Sequence, residues 1–402
     1  MVSDLTTAGA MTSTDIYFET GLDDLVLPFQ IEPFGLRGRG VRLGPAVDTG
    51  LSRHGYPEPV ARLLAEILTL AACLAGALKY DGIFTLQAKG DSAVRTVVAD
   101  VTSAGDLRGY AAFDADKVAA VAAAGDDRAA DGSASVPGLL GGDYLAFTVD
   151  QGAHTERYQG IVAFEGTTLT DCTRAYFRES EQIDAGLTIA VAAPDPGGAW
   201  RAGGLMVQRL PFEGGQGLPA DVTVEEFEDA WRRAMVLMAS ADAAELVDLD
   251  LPVDRLLYRL FHEDGVRAYP AQQLQAGCRC SARKVENVLV SLAPEELRDL
   301  LIDGHAVVTC EFCKTDYRYS ELEIARLRAA RAETGERQGI RYAPVNAPGD
   351  ARFDARFDAR CDGGGRPGGH HAGRLRHRRP AGGAPDADFR QPTAPELGCR
   401  GD

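Results

Sequence analysis

Several things are missing from this chain, and each absence removes a class of function. No apolar run is long enough to cross a bilayer. The longest, LLAEILTLAACLAGAL at residues 63–78, contains Glu66 and falls short of the roughly 20 residues a span needs. The first twenty residues lack both a basic start and an apolar h-region, which argues against a secretory signal and predicts a cytoplasmic protein. There is no G-x-x-x-x-G-K-[ST] loop, so ATP-driven cycling is not indicated. Neither G-x-S-x-G nor H-E-x-x-H occurs, which removes the familiar serine-hydrolase and zinc-protease signatures. Positive charge is also short, with 42 Lys+Arg against 59 Asp+Glu. Residues 331–402 hold 13 basic and 10 acidic side chains, leaving 29 and 49 in residues 1–330, a net of −20. A body so acidic repels phosphate backbones and anionic bilayers, so neither nucleic acid nor membrane is an expected partner.

What is present suits an ordinary folded protein of two or three domains: 402 residues, 45% hydrophobic and 25% charged. The pattern along the chain predicts an α+β fold. Residues 57–79 read as a helix, with Val60, Leu63, Leu64, Ile67, Leu68 and Leu70 at helical spacing and Asp81-Gly82 as the stop. Short β-type runs follow at 83–88, 94–98, 107–113, 144–149, 158–164, 187–193 and 204–210, separated by turn residues. Strands in series, without a strict βαβ rhythm, argue for α+β. The expected organisation is a disordered tail over 1–16, a strand-rich core over 17–222, a helical linker over 223–276, a cysteine module over 277–332 and a second disordered tail over 333–402. Arg, Gly, Asp, Ala and Pro dominate that last segment, and no periodic apolar face can be built from it.

The linker opens on Thr223 with Glu226 three residues on, a capping-box pair. Phe227, Trp231, Met235 and Met238 then share one helical face. Such a face ordinarily packs on its own domain. The alternative is a surface covered in one state and uncovered in another.

Eight cysteines in a chain expected to be cytosolic suggest metal or redox chemistry more than structural disulfides. Cys278-Arg279-Cys280 and Cys310-Glu311-Phe312-Cys313 form two tight pairs with 29 residues between them. Four thiolates in that arrangement suit one tetrahedral zinc ion. A module of about fifty residues has too little core to be secure alone, and a structural zinc contributes roughly 10–16 kcal/mol of apparent binding energy to such folds. Spacing alone leaves open whether the metal is merely structural or a switch, since the thiolates that bind zinc are also the oxidisable species. Two other readings stand beside the switch. One is a thiol–disulfide oxidoreductase using Cys310 and Cys313, and the other a zinc ribbon binding nucleic acid or a protein. Cys73 reads as a core residue, Cys172 lies on an expected helix, and Cys361 and Cys399 fall in the tail.

The chain resembles the thirty-three-kilodalton heat-shock chaperone family, the redox-regulated bacterial holdases, from about Phe29 to Leu327. The resemblance is carried in order by GLRGR at 35–39, PEPVARLLAEIL at 57–68, LKYDGIFTLQAKGD at 78–91, LRGYA at 107–111, YQGIV at 158–162, RAYFRESEQI at 174–183, CRCSARKVENVL at 278–289 and CEFCKTDYRY at 310–319. Two departures stand out: Gly90-Asp91-Ser92-Ala93-Val94 where the family has G-D-G-P-V, and extra residues beyond about 335. The resemblance implies an ATP-independent chaperone for unfolding client proteins, not an enzyme. It implies a monomer with one bound zinc and little activity when reduced. Oxidation would form Cys278–Cys280 and Cys310–Cys313 disulfides, release the zinc, unfold the module, uncover the linker's apolar face with Phe227, Trp231 and Met235 as candidate client-binding residues, and lead to a homodimer.

Overall fold

The computed structural model describes residues 23–32, 35–152, 157–209 and 223–337, with side chains to Arg331. The expected tail over 1–16, residues 338–402 of the second expected tail, and Leu210 at the end of one expected strand lie outside the described residues; at 333–337, where a disordered tail was expected, the helix Glu321–Arg337 continues instead.

Two six-stranded sheets enclose one helix. The first sheet runs Val266–Ala268, Leu25–Ile31, Leu36–Leu43, Arg201–Arg209, Asp184–Ala192, with Gln272–Gln273 also paired along Leu25–Ile31. All of its pairings are antiparallel. The second runs Gln275–Ala276, Asp106–Phe113, Val94–Thr102, Ile83–Gly90, Asp143–Asp150, Tyr158–Ala163. Here only the short Gln275–Ala276 strand is parallel to its neighbour. The seven strands expected from the sequence are all present. The two that open the chain were not separately expected: Leu25–Ile31 and Leu36–Leu43 carry Pro28 and a Gly-Arg alternation that hide the β pattern.

The helix Glu58–Ala75 packs against strands of both sheets, and every residue from Val60 to Ala75 is buried. The sequence suggested an apolar stripe, but the second wall of the helix is also covered. Alanines at 61, 65, 71, 72 and 75 let the sheets approach on that side. A helix apolar all round belongs in an interior. The helix stops at Ala75, short of the expected Lys79, where Arg39 Nε donates to the Gly76 carbonyl at 2.6 Å.

One carboxylate lies inside this core. Glu66 Oε1 accepts a hydrogen bond from the Ala134 amide at 2.7 Å and so anchors the loop before Val136–Leu140. Burial pushes its carboxyl up to about 7, only partly offset by the Ala134 amide and the Arg62 guanidinium. Between 4.5 and about 7 the folded state therefore holds a proton that the unfolded chain has lost. Stability declines through that window as pH rises, and the burial penalty is fully present above it. Each tenfold displacement is worth about 1.4 kcal/mol. Glu66→Gln should accordingly gain about 3 kcal/mol on wild type near pH 8 and almost nothing near pH 4.5. Urea midpoints at the two pH values check this, and equal gains at both would refute it.

The expected linker forms three helices, Val224–Ala239, Ala243–Val247 and Val253–Phe261. They cover the outer face of the first sheet. Phe227, Ala234, Met238, Leu246, Val253, Leu256, Leu257, Leu260 and Phe261 form one cluster with Leu27, Phe29, Ile31, Leu36, Leu205 and Val207. That sheet is thus buried on both faces, which explains why Arg201–Arg209 is buried at seven consecutive positions. Gly203 permits the approach: a Cβ there would lie 1.9 Å from the Leu246 carbonyl oxygen. From Val266 to Ala276 the chain is not helical. Its short strands thread first along Leu25–Ile31 and then along Asp106–Phe113, joining the edges of both sheets. Backbone pairing at exposed sheet edges decided this, and edge pairing leaves little trace in local sequence.

Residues from Cys278 onward build a small unit from helices Ala282–Ser291 and Pro294–Leu300, a sheet of Leu301–Ile302, His305–Thr309 and Asp316–Ser320, and helix Glu321–Arg337. Its buried apolar cluster is only Val285, Leu289, Leu297, Ala306 and Ile324.

Candidate metal centre

Cys278 and Cys280 lie on extended chain immediately after the edge strand Gln275–Ala276. The Gly277 amide donates to the Leu107 carbonyl at 3.0 Å, and Ser281 then caps helix Ala282–Ser291. Cys310 ends the strand His305–Thr309. Its amide donates to the Thr315 carbonyl and its carbonyl accepts from the Lys314 amide, both at 2.9 Å, while Lys314 takes a left-handed φ of 56°. This tight turn sets Cys310 and Cys313 side by side. Thr309 Oγ1 donating to Asp316 Oδ1 at 2.5 Å closes the hairpin neck.

The two turns meet. The Sγ atoms of Cys278, Cys280, Cys310 and Cys313 all lie within 4.8 Å of one another. Cys278 and Cys310 sulfurs are 3.7 Å apart, those of Cys280 and Cys313 3.4 Å. A tetrahedron with metal–sulfur bonds of about 2.3 Å has edges of about 3.8 Å. The donor set and its spacing therefore fit a tetrahedral thiophilic ion. Among the described residues no other cluster of potential metal ligands occurs. Cys310 is buried and the other three half-buried.

Before a metal binds, the surroundings favour one thiolate, on Cys278. The hydrogen bond shared with Cys310, aided by the Cys280 amide and opposed by burial, brings the Cys278 thiol down to about 4. The same shared bond pushes Cys310 up. Burial pushes Cys280 up as well, opposed by the Tyr317 hydroxyl, which donates to its sulfur at 3.1 Å. Tyr317 is itself held well above its usual range by that bond. By contrast, burial raises Cys73 to about 12 and Cys172 to about 11, so these two are inert. Cys361 and Cys399 lie outside the described residues.

The cluster sits against the second sheet through residues that the sequence reading did not single out. Arg108, on strand Asp106–Phe113, donates through Nε and Nη2 to Asp100 Oδ2 at 2.8 and 2.7 Å. Arg279, between the first two cysteines, donates to the same oxygen at 2.6 Å. The Arg108 guanidinium lies 3.8 Å from the centre of the Phe312 ring, between the second two cysteines, and Tyr110 meets that ring edge-on. His54 Nε2 contacts the Glu311 carbonyl at 2.8 Å. Arg108 and Tyr110 belong to the LRGYA block, so their presence was legible, but their meeting with residues some 170 to 200 positions away was not.

As for the candidate client-binding residues, Phe227 is buried under the Arg209 guanidinium, 4.7 Å from its ring, while Trp231 and Met235 are half-buried against the same cluster. They are covered in this state. They also lie on a different sheet from the one that receives the cysteines, so the two predicted sites are not brought together.

Fold and site define a class: two largely antiparallel sheets around a buried helix, with a four-cysteine unit that could hold a metal ion set on the edge of one of them. The family model described as Hsp33 protein matches residues 24–320. A 33 kDa chaperonin of Caulobacter vibrioides is 42% identical over 309 residues, covering 76% of this chain and 98% of the relative. One from Pseudomonas fluorescens is 33% identical over 308 residues, covering 76% and 93%. The crystal structure of a 33 kDa chaperonin from Thermotoga maritima superposes with a TM-score of 0.62 at 22% identity, covering 77% of this chain and 99% of that one, a likeness of fold. This chain belongs to the Hsp33 family of chaperones. Among the described residues no helix is long and apolar enough to cross a membrane.

Proposed function

We propose that this protein is a cytoplasmic, ATP-independent holdase, kept inactive by one zinc ion on Cys278, Cys280, Cys310 and Cys313 and activated by oxidation of those residues. What carries the reading is the convergence of four sulfurs within 4.8 Å in a unit with five buried apolar residues. Bound there, zinc would supply the crosslink that so small a core lacks. Each disulfide forms in two steps. A thiolate attacks peroxide, taking one oxygen as a sulfenic acid and expelling hydroxide. A second thiolate then displaces the sulfenic hydroxyl, which leaves as hydroxide and is protonated to water by the solvent. Two peroxides are reduced and four sulfurs oxidised, pairing Cys278 with Cys280 and Cys310 with Cys313. Sulfur in a disulfide is no ligand for zinc, so the unit loses its crosslink and melts. Helices Val224–Phe261 then lose their continuity with a folded neighbour, and the apolar surface around Phe227, Trp231 and Met235 becomes available to unfolding clients and to a second copy of the chain.

An oxidoreductase is less well supported: Cys310 and Cys313 occupy a hairpin turn ahead of strand Asp316–Ser320, not the start of a helix, where thiolates are usually activated. A nucleic-acid-binding ribbon is disfavoured because Arg279, Arg298 and Lys314 are each paired with carboxylates. Peroxide with mild heat should release about one zinc per chain, convert monomer to dimer on size exclusion, and suppress light scattering by a thermally unfolding client. Oxidised protein that has lost its zinc but never suppresses scattering would refute the proposal.

A further inference from the structure

Each cysteine pair has a residue between its two cysteines that is spent on docking. Arg279 reaches Asp100, and Phe312 lies beneath the guanidinium of Arg108. Both therefore converge on one core residue, because Arg108 is itself held by Asp100, whose side chain is 5% exposed. The remaining terminal nitrogen of Arg108, Nη1, lies 3.8 Å from Cys278 Sγ. One guanidinium thus touches the core carboxylate, an aromatic ring of the unit and a ligand sulfur.

Charge gives this arrangement a consequence. Two guanidiniums share the Asp100 carboxylate, whose other oxygen accepts from Thr85 Oγ1 at 2.6 Å, so these three charged side chains carry one surplus positive charge. Four thiolates around a divalent ion carry two negative charges, and Arg108 points at them. Once both pairs are disulfides and the metal is gone, the cluster is neutral. Two cations then remain on one carboxylate that is 5% exposed, one of them the 12% exposed Arg108 side chain, where an unmatched charge is expensive. We propose that Arg108 is the positioning residue through which the core senses the cysteine cluster: the charge of the reduced, metal-loaded cluster completes the Asp100–Arg108–Arg279 clamp, and its loss on oxidation opens the clamp and releases the unit from the second sheet. This deepens the redox-switch reading above and rests on it.

The test uses the full chain, reduced and zinc-loaded, as wild type, Arg108→Gln, which leaves Asp100 paired with Arg279, Arg108→Lys, and the double variant Asp100→Asn/Arg108→Gln, which removes both sides of the Arg108 ion pair if the single variant folds poorly. Zinc content, amide exchange across residues 223–320 and the peroxide dose for half-maximal suppression of client scattering are measured on each. Expected for Arg108→Gln and the double variant are wild-type zinc content, faster exchange at Gly277 and Leu107, and a half-activating dose about tenfold lower, given the worth of a charge-assisted bond and a cation–π contact. Arg108→Lys, which keeps the charge but loses the fork and the stacking, falls between. Wild-type exchange and dose in both Gln variants would overturn the inference, as would loss of zinc from them before any oxidant is added. Oxidised wild type that exchanges faster at Gly277 yet never suppresses scattering would sink the holdase reading and leave the clamp standing.

Discussion

Replacing Cys310 with serine is expected to empty the metal centre and melt the chain from Gly277 onward, while the two-sheet body stays folded. Cys310 is the buried ligand, its sulfur is 3.7 Å from that of Cys278, and the turn it opens also positions Cys313. A hydroxyl is a poor ligand for a thiophilic ion, and the crosslink it forfeits is worth roughly 10–16 kcal/mol in small zinc folds. Against that loss the unit has Val285, Leu289, Leu297, Ala306 and Ile324, and a core so small rarely supplies more than about 3–5 kcal/mol. The body has separate resources, since its apolar clusters contain no residue of the cysteine unit. Hydrogen exchange should show Ala282–Ser291 and His305–Thr309 at unprotected rates, with Ile83–Gly90 and the central helix unchanged. Protected amides in those segments without bound metal would refute the role assigned to the ion.

Phe261→Ala should uncover the first sheet without touching a cysteine. Phe261 is fully buried at the end of its helix and stacks on Phe29, ring centres 5.9 Å apart. It is the anchor at which the three-helix cover meets the sheet. Truncating a fully buried phenylalanine costs about 3–5 kcal/mol in transfer and cavity terms together. The cover has modest compensation: Arg42 and Arg201 donate to carbonyls of Glu245, Val247 and Asp248. The expected result is a reduced, zinc-loaded protein that binds a hydrophobic dye and suppresses client scattering before any oxidant is added. A variant that is destabilised by that amount but inert until oxidised would place the client surface elsewhere.

In the proposed switch these two substitutions separate a latch from a cover, which the fold keeps on different sheets. They are joined by residues 265–276, whose short strands leave the cover at Val266–Ala268, pass along Leu25–Ile31 and end beside Asp106–Phe113, one residue before Cys278 is reached through Gly277. Melting the cysteine unit therefore pulls first on a pairing of only two residues, at Gln275–Ala276. A two-residue parallel ladder contributes little on its own, so it is a suitable place for release to begin.

Much of this was legible before any fold was known. Two close cysteine pairs implied a four-sulfur site, because tetrahedral thiolate ligation needs two tight turns and tolerates a long connection between them. The central helix and seven strands followed from periodicity, because burial on one face imposes a repeat of 3.6 or 2 on apolar residues. The capping box at Thr223 and Glu226 marked the start of the cover, and both of its hydrogen bonds are formed.

Tertiary structure alone decided what those pieces meet. That the helix Glu58–Ala75 is enclosed on all sides, that residues 266–276 stitch two sheet edges together, and that Arg108 bridges Asp100 to Phe312 and Cys278 all depend on contacts between distant parts of the chain. Periodicity reports how a segment partitions between water and an interior, but not which partner supplies that interior. Ligand spacing is local chemistry and was readable from the cysteines. The docking of the unit they form is long-range electrostatics and packing, and required the fold.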